Sequence, residues 1–126
     1  MNIRQSGDVT ILDVVGTVRF GPESNRFHEE ILAAFDNGSK KILLNLAALE
    51  RFDSSGLGSL VSAYTSVTRR GGVVKLLSPG PRVAELLKVT NTAGLFEIFT
   101  DEEVAVASFA MTRIGVEPLA NARGSA

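Results

Sequence analysis

Three apolar runs, Val9–Val15, Lys41–Leu46 and Val73–Leu77, recur between segments of helical periodicity. That alternation constrains the fold more than any other feature of the chain. Strands separated by helical runs of 10–15 residues require crossover connections, and therefore a largely parallel sheet. The helical segments are marked by their apolar spacing. Phe27, Ile31, Leu32 and Phe35 share one face behind Gly21-Pro22, and Asn37-Gly38 closes that helix. Leu57, Leu60, Val61, Tyr64 and Val67 share another, which Arg69-Arg70 and Gly71-Gly72 terminate. Pro79-Gly80-Pro81 introduces a third helix with Val83, Leu86 and Leu87 inward, giving out between Asn91 and Gly94. Met1 to Gln5 reads as a short edge strand before a Ser6-Gly7-Asp8 turn, and Leu95 to Phe99 as a short final strand. The segment after Leu46 reads as a loop running through Asp53. Thr100-Asp101-Glu102-Glu103 has capping-box form, and Val104, Ala107 and Met111 follow at helical spacing.

A chain of 126 residues is most simply one domain, able to bury roughly two-thirds of its unfolded surface. A net charge of −1 with both signs scattered offers no basic face for nucleic acid. With no cysteine, disulfides, thiolate catalysis and cysteine-held metals are excluded. No apolar run approaches a membrane span, and the start carries no apolar leader, so a cytoplasmic protein without membrane insertion is expected.

The stretch Glu50 to Leu60, "ERFDSSGLGSL", raises the question of chemistry. A serine nucleophile needs a base, and the single histidine, His28, lies beside the buried stripe of the first helix. The nucleophile-elbow pattern is also absent. Gly56-Leu57-Gly58 begins like a dinucleotide fingerprint, but Val61 stands where a small residue is needed. Gly16 and Gly21 have phosphate-loop spacing, yet Pro22-Glu23 replace the lysine and hydroxyl. One histidine and dispersed acids make a poor metal site. No catalytic residue, metal or cofactor is therefore assigned. What remains is a cap or a switch. Asp53 suits an N-cap that accepts the N–H of Ser55 or Gly56. Ser54 and Ser55 then fall in the first turn, where unpaired N–H groups and the helix dipole favour a phosphate.

Asp53-Ser54-Ser55-Gly56-Leu57-Gly58 resembles the D-S-[ST]-G-[LI]-G signature of STAS-domain proteins, specifically the anti-sigma factor antagonists. Val15-Gly16, Lys41 to Leu46, Arg70-Gly71-Gly72 and Gly94-Leu95-Phe96 fall in register with the same family, so the resemblance covers about residues 3 to 110. It implies an α/β STAS fold, a small, mixed, largely parallel sheet with helices packed on it. The domain is expected over residues 1–113, with a flexible tail over 114–126. The resemblance further implies a regulator with no chemistry of its own. Ser54 would be phosphorylated by an ATP-binding anti-sigma factor with serine kinase activity, and a serine phosphatase would restore it. Asp53, Ser55 and Gly56 would surround the phosphate, with Gly56 leaving room for the partner's backbone. The partner-facing surface is expected to include Arg19, Gly21, Leu57, Gly58 and Gly80. Many family members carry an acid where this chain has Arg19, and a cation there favours a phosphate electrostatically. Two other classes stay open: an accessory subunit of a transporter or lipid-trafficking complex, and a ligand-binding or enzymatic α/β domain.

Overall fold

A computed structural model of the chain describes residues 1–111. Five strands form the main sheet: β1 (Asn2–Ser6), β2 (Val9–Asp13), β4 (Lys41–Asn45), β6 (Val73–Leu77) and β7 (Ile98–Phe99). They lie in that order. β1 runs antiparallel to β2, and every other pair is parallel. The central run β2-β4-β6 is in one register, Leu12 opposite Leu44 and Leu44 opposite Leu76. These are the three runs that the sequence marks, as neighbours.

Both sheet faces are covered, which is why the strands read as continuous apolar runs rather than alternating ones. Leu12, Ile42, Leu44, Val74 and Leu76 face α1 (Pro22–Asp36), α2 (Ser54–Arg69) and α3 (Gly80–Val89) in one large core. Val9, Ile11, Leu43 and Leu77 point the other way, into a smaller core closed by Ala105 and Phe109. Ala105 belongs to α4 (Glu102–Ser108), and Phe109 to the 3-10 turn that continues it.

Four expectations change. The segment after Leu46 is not all loop. Leu49–Phe52 forms β5, which pairs in parallel with β3 (Gly16–Val18) as a separate two-stranded sheet. The first long run therefore ends at Asp13 rather than Val15, which is exposed. Leu95 belongs to a 3-10 turn over Ala93–Leu95, and the last strand keeps only two residues. Across α4 and the 3-10 turn after it the inward residues are Ala105 and Phe109, while Val104, Ala107 and Met111 face outward. Asp101 caps that helix, its Oδ1 accepting the Val104 N–H at 3.0 Å. The expected tail lies outside the described residues.

Candidate functional site

The site is built around one carboxylate. Phe52 ends β5 buried, edge-on to Phe27 of α1 with ring centroids 6.3 Å apart. The chain then turns through Asp53, whose extended backbone (φ −115°, ψ −173°) suits an N-cap. Its Oδ1 accepts the N–H groups of both Ser55 and Gly56, at 3.0 and 3.1 Å. Its Oδ2 accepts the N–H of Phe20 at 3.0 Å, from the loop between β3 and α1. Nothing in the spacing announces that second bond, because the two residues are 33 positions apart. Asp53 thus joins the start of α2 to the start of α1.

Partial burial pushes the Asp53 carboxyl up. The N–H groups of Phe20, Gly56 and Ser55, with the positive charge of Arg19, outweigh that and hold it below its usual value. The cap consumes two donors of the first turn. A phosphate on Ser54 would meet the helix dipole, but the Ser55 and Gly56 N–H groups are already occupied.

Ser54 is the first residue of α2 and is exposed, while Ser55 is half-buried. Arg19 reaches the neighbourhood through its charge on Asp53, yet Glu23 competes for it. The Arg19 Nε lies 3.5 Å from Glu23 Oε1, which also accepts the Arg19 N–H at 3.1 Å. Gly21 precedes α1 with φ +103°, a conformation that side chains other than glycine rarely adopt. Gly58 is exposed with open space where a Cβ would stand. An open furrow between α1 and α2 starts at Phe20 and Gly21 and runs past Ser55, Gly58, His28 and Ser62.

Three assignments move. Gly56 is buried: a Cβ there would stand 2.7 Å from the Val18 carbonyl oxygen and 2.9 Å from the Phe52 ring. Its small size admits β3 and β5, not a partner. Leu57 is buried in the main core, because it begins the same helical stripe as Leu60, and so offers no contact surface. Gly80 is exposed at the start of α3 with φ +77°, and belongs to the turn after β6 rather than to the residues that Asp53 gathers.

His28 also has a partner that the sequence conceals. Its Nε2 lies 3.2 Å from Ser62 Oγ, across the two helices. Ser62 is eight residues along α2 from Ser54, about 12 Å by helical rise, so the pair does not serve Ser54. Among the described residues, no group of three His, Cys, Asp or Glu side chains could hold a metal ion. Among them too, no helix is long and apolar enough to cross a membrane.

A largely parallel sheet covered on both faces, with an exposed serine on a carboxylate-capped helix start, defines the class of protein. The chain belongs to the STAS-domain family, whose domain model matches residues 1–105. It is 39% identical over 64 residues to a Thermotoga neapolitana protein provisionally named an anti-sigma factor antagonist, covering 51% of this chain and 57% of that one. The chain therefore spans little more than half the length of that relative. A crystal structure from Thermotoga maritima, provisionally named in the same way, superposes with a TM-score of 0.73 at 25% identity, over 85% of this chain and 92% of that one. The Bacillus cell-fate determinant SpoIIAA, solved in its phosphorylated form, shares the fold with a TM-score of 0.67 at 19% identity, over 86% and 97% of the two chains.

Proposed function

We propose that this protein is an anti-sigma factor antagonist that binds an ATP-dependent anti-sigma factor kinase and is switched off by phosphate on Ser54. The observation that carries the reading is the placement of Ser54. Its side chain is exposed at the first position of a helix that Asp53 caps, in a family whose curated relatives bear that name. A hydroxyl there can be modified without disturbing the core, since the neighbouring inward positions are filled by Gly56 and Leu57. Phosphate adds about −1.5 to −2 charges beside the Asp53 carboxylate. The folded domain has little to gain from that charge, so its effect falls on the docked partner, through desolvation and repulsion.

The protein is expected to act by binding, without turnover of its own, and a serine phosphatase is expected to reset it. The test is phosphopeptide mapping after incubation with a purified kinase-type anti-sigma factor and ATP, with calorimetry of each variant. Ser54→Ala should fold normally, resist phosphorylation and bind constitutively. Ser54→Asp should fold normally and bind more weakly by about 2–4 kcal/mol, the scale of a poorly paired charge in an interface. Ser55→Ala should matter less on both counts. Phosphate on Ser55 with Ser54 untouched, or equal affinities for the two Ser54 variants, would end the reading.

A further inference from the structure

Every aromatic ring of this chain but one is buried or half-buried. Tyr64 and six of the seven phenylalanines lie in or against the cores, whereas Phe20 is 83% exposed. A lone exposed apolar residue is ordinary in itself. What distinguishes Phe20 is how firmly it is presented. Its own N–H is held by Asp53 Oδ2 at 3.0 Å. The loop on either side is tied by the Arg19 N–H on Glu23, the Ser24 N–H on the Arg19 carbonyl at 3.1 Å and the Asn25 N–H on the Gly21 carbonyl at 3.2 Å. Gly21 supplies the left-handed backbone that turns the chain directly after it. A ring with two side-chain torsions on a fixed backbone loses little entropy when a partner covers it.

The carboxylate that holds Phe20 is also the one that caps the helix carrying Ser54. Phe20 and Ser54 are therefore set relative to each other by a single joint. The ring stands at the mouth of the furrow between α1 and α2. Directly before it stands Arg19, exposed on the same loop. Glu23 is the acid paired with Arg19, and Thr17 engages it as well.

We propose that Phe20 is the anchor of the partner interface, entering an apolar pocket whose rim carries carboxylates that face Arg19. The assignment rests on the function proposed above and deepens it: Ser54 decides whether the surface binds, and Phe20 with Arg19 decides what it binds. Buried aromatic anchors ringed by polar contacts dominate interface energetics, and rim charges act mainly on the association rate.

The test uses the full chain and each purified ATP-binding anti-sigma factor of the source genome, with binding followed by calorimetry and stopped flow. Phe20→Ala should raise Kd 10- to 100-fold against the cognate factor, with an unchanged melting temperature. Phe20→Leu should stay within a few-fold of wild type. Arg19→Glu should slow association most at low salt, where exposed charges are least screened. Wild-type binding and Ser54 phosphorylation with Phe20→Ala within threefold of wild type would overturn this proposal alone. Failure of every such factor to bind the wild-type chain would overturn it together with the proposed function. A concentration-dependent dimer that Phe20→Ala abolishes, without loss of factor binding, would assign the ring to a second copy of this chain and overturn the proposal as well.

Discussion

Asp53 uses its two oxygens for two jobs, capping α2 through Ser55 and Gly56 and fixing the preceding loop through Phe20. Gly56 is the residue that makes this joint possible. With the Val18 carbonyl 2.7 Å from where a Cβ would stand, the first turn of α2 lies directly against β3 and β5. Two of the three nearest atoms belong to the Phe52 ring, but the closest is backbone and cannot rotate away. Gly56→Ala should therefore cost about 1–3 kcal/mol, as overpacking of a tight site does. Denaturant unfolding measures the cost, and loss of the Phe20 amide's protection from exchange would show that the joint has opened. Unchanged stability would mean that β3 yields more readily than its hydrogen bonds suggest.

At the scale of elements, α2 is over-determined, with a cap, a continuous inward stripe and a glycine stop. α4 is held more lightly. Ala105 and Phe109 are its fully buried contacts, and Lys75 reaches it from β6, donating to Ser108 Oγ at 2.9 Å with its Nζ 4.6 Å from the Phe109 ring centroid. Glu97 pairs with the same ammonium at 3.0 Å. Phe109→Ala should then cost about 3 kcal/mol, the low end for a buried phenylalanine, because the smaller core can partly collapse. Hydrogen exchange should quicken in α4 while the protected centre of α2 keeps its rate. Equal acceleration in both helices would show one cooperative unit where two cores suggest separable ones.

Across the whole molecule, ionised carboxylates join distant parts of the chain. Arg4 of β1 bonds Asp13 of β2 at 2.6 and 3.0 Å and Glu102 of α4 at 2.9 and 3.1 Å, while Asn45 of β4 donates to Asp13 at 2.8 Å. The Arg4 hydrogen bonds hold the Asp13 carboxyl below its usual value against partial burial, helped by Asn45. Asp53 is lowered too. Both groups bind a proton less readily folded than unfolded. Their contribution to stability is therefore complete above the unfolded carboxylate value of about 3.9 and is lost as pH falls through the lower folded values. Unfolding free energy should be level near neutrality and fall with acid, and Asp13→Asn with Asp53→Asn should flatten that slope. An acid limb of the same steepness in the double variant would place the responsible carboxylates elsewhere.

Sequence alone determined the crossover architecture, because strands buried on both faces must be apolar throughout and helices must show their inward stripe. It also determined the cap at Asp53, which depends only on residues two and three positions away. The β3–β5 pair was not legible: three residues that begin with a glycine and the run Leu49-Glu50-Arg51-Phe52 carry no periodicity of their own, and pairing supplies what propensity does not. The inward face of α4 was not legible for a related reason, since so short a helix offers two stripes and the sheet beneath selects one. Tertiary structure decided the site. It turned Gly56 and Leu57 inward, left Ser54 and Phe20 outward, and brought Phe20 to Asp53, because each outcome depends on which distant segment packs against that short stretch of chain.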